Sequence, residues 1–289
     1  MTLQRKLATP KNYPNPEEQA SFAPGVSQEA IGAFQAKVLN FYATQGRTLP
    51  WRNTQEPYLI LVSEVMLQQT QVDRVIPYYS RFLEHYPTVE HLANAEQSEV
   101  LRLWSGLGYN SRALRLCSAA QAIVANHAGS FPKDYLALTS LPGIGDYTAK
   151  AILAFAFNQE VPVIDTNIRR VLLAEFPGYG TASSSALKSL ANSLIPPGRS
   201  RDWHNALMDY GALVLTAKKT GIAPLSKQST FKGSDRQIRG DLVRQLLKSG
   251  SLSVAEAQAL YHKPKLEQIL EKLEKDGILL RDASTLRLR

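Results

Sequence analysis

Two carboxylic acids in this sequence of 289 residues stand out by their neighbours. Glu64 lies in Leu61-Val62-Ser63-Glu64-Val65-Met66-Leu67, a helical stretch with almost no polar face. A glutamate on an apolar helix ordinarily turns to solvent, but these neighbours leave it little polar surface to share. A carboxyl kept from water has a raised pKa and can hold its proton near neutrality, as a general acid must. Asp165 lies in Val163-Ile164-Asp165-Thr166-Asn167-Ile168-Arg169-Arg170-Val171, between an apolar run and the start of a helix. There the helix dipole favours the ionised form. A third signal is Leu141-Pro142-Gly143-Ile144-Gly145-Asp146-Tyr147-Thr148-Ala149, two glycines entered through a proline and followed by an apolar helix. Such a hairpin turns backbone N–H groups outward at a helix N-terminus and can hold a phosphate without reading sequence. Taken alone, Gly-x-Gly fits a plain helix–helix turn better.

The elements that must position these groups are helices. Ser27 reads as an N-cap, followed by Ile31, Phe34, Val38, Leu39 and Phe41 near the helical period. From there to residue 216 helices follow one another, broken at Gly46–Pro50, Gly106–Gly108, Pro132, Pro142–Gly145 and Pro197–Gly198. Residues 1–26, with four prolines and no apolar period, read as a flexible tail. Residues 217–233 read as a basic connector: from Lys218 to Arg239 six basic residues face one acid, Asp235. That charge suits a phosphate-tracking segment and a solvated linker equally. Residues 234–289 read as helices over Ser234–Lys248, Ser253–Tyr261 and Pro264–Lys275, then strands at Gly277–Leu280 and Thr285–Leu288 around a turn. This is the outline of a winged helix, although Glu267, Glu271 and Glu274 beside Lys265, Lys272 and Lys275 leave its partner open.

The bulk numbers narrow the class. Lys and Arg outnumber Asp and Glu by 33 to 25, a net charge of +8 that suits a polyanionic partner. The single cysteine, Cys117, forms no internal disulfide and supplies no multi-cysteine metal site; its ordinary role is a small buried side chain. No apolar run approaches the roughly 20 residues of a membrane span.

Leu-Pro-Gly-Ile-Gly followed at this distance by Asp165 resembles the helix-hairpin-helix DNA glycosylase superfamily. Within it, Leu49-Pro50-Trp51-Arg52, Ser63-Glu64-Val65-Met66-Leu67-Gln68-Gln69-Thr70-Gln71-Val72, Gly106-Leu107-Gly108-Tyr109 with Arg112, and Leu207-Met208-Asp209-Tyr210-Gly211-Ala212 resemble the MutY family, the adenine DNA glycosylases. The resemblance covers about residues 30–216 and continues more weakly to the end. It implies a mainly α, two-lobed glycosylase domain over 27–216, with the winged-helix-like α+β unit appended. It also implies a monofunctional enzyme of base excision repair that removes adenine opposite 8-oxoguanine or guanine. Glu64 would protonate adenine N7 and ionised Asp165 would stabilise the oxocarbenium ion or its covalent adduct, the division of labour of glycoside hydrolysis. Tyr147 and Asn167 would support the sugar, and a tyrosine at position 147 forms no Schiff base, so strand cleavage is not expected. Gln69 and Tyr109 would enter the duplex. Arg47, Leu49, Trp51, Leu67 and Asp209 would line the adenine pocket, and Thr70, Arg112, Gly143 and Gly145 would serve DNA binding.

The family's four cysteines, spaced C-x6-C-x2-C-x5-C as iron–sulfur ligands, fall here on Leu215, Ile222, Leu225 and Phe231. No cofactor is therefore expected beyond a monovalent cation at the hairpin, and the four apolar side chains are expected to pack together in the cluster's place. Double-stranded DNA as partner, a monomeric state, no membrane and a cytoplasmic, nucleoid-associated address complete the expectation. The alternatives are a thymine or modified-base glycosylase on the same scaffold and a non-catalytic DNA-binding protein.

Overall fold

In the computed structural model, residues 25–181, 183–225, 230–261 and 265–289 are described. The expected tail lies outside them up to residue 24. Ser27 accepts a hydrogen bond from the Ala30 amide and opens α1 (Gln28–Gln45). A 3₁₀ turn over Pro50–Arg52 leads to α2 (Pro57–Leu67), with Pro57 at its first position. Then follow α3 (Val72–His85), α4 (Val89–Ala93), α5 (Gln97–Trp104), α6 (Ser111–His127), α7 (Tyr135–Ser140) and α8 (Asp146–Phe155). The chain continues through α9 (Thr166–Glu175), α10 (Ser184–Ser193) and α11 (Ser200–Asp209), a π turn over Tyr210–Val214, and the short α12 (Ala217–Thr220).

These helices bury two cores. One takes residues from Leu49 to Val163, chiefly α2, α3, α5, α6 and α8, and the other takes Ile31, Phe34 and Val38 of α1 with residues of α9, α10 and α11. From α1 in the second lobe the chain thus crosses to build the first and returns. In the second core Phe34 meets Phe176 and Trp203 edge-on, with ring centroids 5.2 and 5.6 Å apart. The central helix α2 is apolar on nearly every side and is packed by α3, α6 and α8, which is why its one acid, Glu64, is buried among apolar neighbours.

The C-terminal unit is α13 (Asp235–Ser249), β1 (Ser251–Ser253), α14 (Val254–Leu260), α15 (Leu266–Lys275), β2 (Leu279–Asp282) and β3 (Thr285–Leu288). Its three helices and the strand Thr285–Leu288 match the sequence reading, the strand expected at Gly277–Leu280 lies two residues later, and β1 is an addition. The order is β1-β3-β2, antiparallel throughout, with Leu252 opposite Leu286. A strand of three residues carries no alternation to recognise; only its partner far along the chain makes it one. The apolar side chains of this unit join the first lobe's core, and Arg102 of α5 donates to the Leu247 carbonyl of α13 at 3.3 Å.

Candidate active site

A cleft of about 790 Å³ opens between the lobes. One wall is the C-terminal half of α2, whose Ser63, Glu64 and Leu67 line it; another is the N-terminal end of α9, with Asp165, Thr166 and Asn167. Tyr147, on the first turn of α8, closes the space between them. The two acids chosen from sequence and the two residues expected beside the sugar thus face one cavity, as do Arg47, Leu49, Trp51, Gln69 and Thr70.

Burial pushes the Glu64 carboxyl up to about 7, helped by the nearby charge of Asp165 and opposed by a hydrogen bond from Tyr147. Asp165 is held differently. As the N-cap of α9 it accepts from the Ile168 amide at 2.7 Å and from the Asn167 side-chain amide at 2.9 Å. Burial still lifts it above the usual aspartate range, against these bonds and the positive charge of Arg170. The sequence-level picture of dipole alone therefore understates the cost of burying Asp165. Asp165 has donors and a cation supporting its charged form, where Glu64 has a phenol.

Arg170 extends that support. Its guanidinium donates to Asn167 Oδ1 at 2.7 Å, to the Gly211 carbonyl at 2.7 Å and to the Leu215 carbonyl at 2.6 Å. It thereby ties Asn167, and through it Asp165, to the π turn after α11. Gly211 has to be glycine there, since a Cβ would sit 2.9 Å from the Asn167 carbonyl oxygen.

Two expected ligand-side residues lie elsewhere. Asp209 does not line the cleft: it is fully buried and accepts from the Arg47 amide and Nε at 2.7 Å each and from Arg52 Nη1 and Nη2 at 2.6 and 2.7 Å. These bonds hold its carboxyl below the usual range against the cost of burial. Asp209 aims two arginines that do line the cleft. Arg112 is buried too, donating to the carbonyls of Val65, Met66 and Gln68 at 2.6–2.9 Å, to Gly108 at 3.0 Å and to Thr70 Oγ1 at 3.2 Å. It satisfies the open C-terminal carbonyls of α2 and fastens the Gln69 turn to the Tyr109 turn. Both Gln69 and Tyr109 have left-handed backbone, φ 56° and 50°, a conformation that non-glycine residues adopt only when held.

In the hairpin, Leu141 and Ile144 are buried while Pro142, Gly143 and Gly145 are exposed. Gly143 has φ 76° and lies so close to Arg115 that a Cβ would meet it at 2.7 Å; Gly145 caps α8. Trp51 is both core and cleft wall, packed edge-on against Tyr79 at 5.4 Å.

The expected apolar cluster in the connector does not form. Leu225 is 82% exposed and Phe231 57%, Ile222 is half-buried beside the left-handed Gly221, and Leu215 packs on the second core instead. Among the described residues the segment turns at Gly221, and Leu225 stands at the cleft, so apolar type alone does not bring these four together. None of them carries an atom that ligates iron, so these positions do not fit an iron–sulfur cluster.

Residues 62–197 match the family model described as HhH-GPD superfamily base excision DNA repair protein. The adenine DNA glycosylase of Mycolicibacterium smegmatis is 37% identical over 268 residues, covering 84% of this chain and 91% of that protein. The chain belongs to the adenine DNA glycosylase family. The human adenine DNA glycosylase is 40% identical over 237 residues, which span 77% of this chain but 42% of the human protein. Among solved structures, a thermostable thymine-DNA glycosylase has a TM-score of 0.63 at 31% identity over 66% of this chain and 90% of its own. Endonuclease III in a non-covalent complex with DNA shares the fold at a TM-score of 0.58, with 19% identity over 69% of this chain and 91% of its own. For this adenine DNA glycosylase family member, sequence reasoning overlooked Arg52 and Arg170 as site residues. Both stand inside the quoted motifs, but an arginine in a motif does not announce which buried carboxylate or carbonyl it meets.

Proposed function

We propose that this protein is a monofunctional adenine DNA glycosylase of base excision repair, acting on adenine mispaired with 8-oxoguanine or guanine in double-stranded DNA. One observation carries the reading: a carboxyl pushed up to about 7 and a hydrogen-bonded aspartate line the same cleft. The extruded adenosine enters the cleft, at a cost of a few kcal/mol for unstacking. Glu64 gives its proton to adenine N7 while the C1′–N9 bond breaks and its electron pair leaves with the base. Ionised Asp165 stabilises the positive sugar, water adds at C1′, and the proton it loses returns to Glu64. Tyr147 orients the acid through its hydrogen bond. With no amine at position 147, the product is an intact strand bearing an alkali-labile abasic site.

The chain works without an iron–sulfur cluster, since Leu, Ile, Leu and Phe stand at the ligand positions. We read it as a monomer in the cytoplasm at the nucleoid; no helix among the described residues is long and apolar enough to cross a membrane. Its C-terminal unit we read as winged-helix-like, from three helices and a three-stranded sheet.

Purified protein incubated with duplexes carrying A·8-oxoguanine, A·G or T·G, then heated in alkali, tests the function. Cutting at the adenine position is expected. The likeness to a thymine-DNA glycosylase gives the T·G duplex its place: cutting there alone would replace adenine by thymine as the substrate.

A further inference from the structure

Tyr109 closes the turn Gly106-Leu107-Gly108-Tyr109, whose two glycines have φ 107° and 78°. Arg112 braces this turn from inside the first lobe, its guanidinium 5.5 Å from the Tyr109 ring centroid. A second arginine reaches it from the C-terminal unit: Arg236, on the first turn of α13, donates from Nη1 to the Tyr109 hydroxyl at 2.6 Å, across 127 residues of sequence. Its guanidinium also lies 5.5 Å from the ring centroid. The helix that delivers it is firmly seated, because Ile238, Leu242, Val243 and Leu246 are buried in the core shared with the first lobe.

We propose that Tyr109 probes the duplex, the role the family resemblance implies for it, and that Arg236 is its positioning residue, through which the C-terminal unit sets its pose. The inference rests on the function proposed above. A phenol on a turn is free to swing about its side-chain torsions, and a wedge that must first be ordered loses affinity to that ordering. A charge-assisted bond from a rigid helix orders it in advance. Arg236 then contributes to telling a mispair from a matched pair, and does so only by way of the Tyr109 hydroxyl. An arginine that instead gripped a phosphate would strengthen both duplexes alike and add to the salt dependence.

The test uses the full chain with Glu64→Gln throughout, so that no base is lost during binding. The dissociation constant is measured for one duplex holding a single A·8-oxoguanine pair and for its fully matched counterpart, with Arg236→Ala, Tyr109→Phe, both together, and Arg236→Lys. Arg236→Ala and Tyr109→Phe are each expected to lower the mispair-to-matched affinity ratio about tenfold, the scale of one charge-assisted hydrogen bond. The double variant is expected to lose no more than either single one, and Arg236→Lys to recover part of the ratio. An unchanged ratio in Arg236→Ala, losses that multiply in the double variant, or equal weakening of both duplexes with a salt slope reduced by about one would each overturn the proposal. Should Arg236→Ala unfold α13, Tyr109→Phe carries the test, because it leaves that helix whole and an unchanged ratio there also overturns the proposal. Failure of the chain with Glu64 intact to release adenine would sink the proposed function, a different result from any of these.

Discussion

The wall of the cleft built by α2 and the wall built by α9 each present one buried carboxyl, in opposite surroundings. Around Glu64 the helix is apolar and one phenol is the named hydrogen-bond partner, so desolvation dominates and the proton stays on to about pH 7. Around Asp165 the same desolvation is opposed by a backbone amide, the Asn167 amide and the charge of Arg170. Burial by itself therefore does not assign a role to an acid. What separates a proton donor from a charge stabiliser is whether donors were folded in with it.

The comparison can be broken most sharply at Glu64. Glu64→Gln keeps the shape and removes the proton, so single-turnover release of adenine is expected to fall by about 10² to 10⁴ with duplex affinity retained. A small decrease would mean that the acid lies elsewhere. Next in size, Asp165→Asn removes the charge but not the cap, because asparagine caps helices as well as aspartate. Release is expected to drop at least about tenfold with the melting temperature near that of the unsubstituted chain. Asp165→Ala adds a stability loss of about 1 kcal/mol, read by denaturant unfolding.

The pH dependence sharpens the same contrast. Protonated Glu64 is the active form, so release slows as pH rises through about 7. Its folded pKa lies above its ordinary value of 4.5. At this side chain the folded state therefore holds more protons than the unfolded one between about 4.5 and 7, so the contribution of Glu64 to stability declines as pH rises across that window, while buried His204, pushed down to about 4, contributes the opposite slope. Glu64→Gln removes the contribution of Glu64, so stability should rise more steeply with pH in the variant than in the unsubstituted chain across that window; an unaltered profile would show that Glu64 does not titrate there.

Arg170→Ala tests the supports of Asp165 without touching either acid. It leaves the Gly211 and Leu215 carbonyls without their donor, and a loss of about 1.5–3 kcal/mol is expected, with slower release as Asn167 loosens. The smallest effect belongs to the connector. Leu225→Ser should change stability by less than about 0.5 kcal/mol, since that side chain is 82% exposed; a larger loss would revive the apolar cluster that the structure lacks.

Much of this architecture was legible in the residues. Ser27, Ser234 and Ser253 mark helix starts because a cap is a local device, and Asp165 was legible for the same reason. Glu64 stood out because an acid in an apolar run contradicts its surroundings. Asp209 and Arg112 were misplaced as ligand-side residues because their partners come from distant segments, Arg47 and Arg52 for one and the carbonyls of 65–68 for the other. In the connector the error ran the other way: apolar residues were expected to find each other, but Leu215 packs on the second core while Leu225 and Phe231 stay exposed.

The crossing of the chain between lobes bears on how the molecule is made. Synthesis runs from the N-terminus at about 5–20 residues per second, so α1 leaves the ribosome well before the segments its apolar face needs. Ile31, Phe34 and Val38 share their buried core with residues from Ile168 onward, whereas the first lobe's helices between Leu49 and Val163 are contiguous in sequence. The catalytic cleft, lined from both lobes, is therefore complete only once α9–α11 are available to pack against α1.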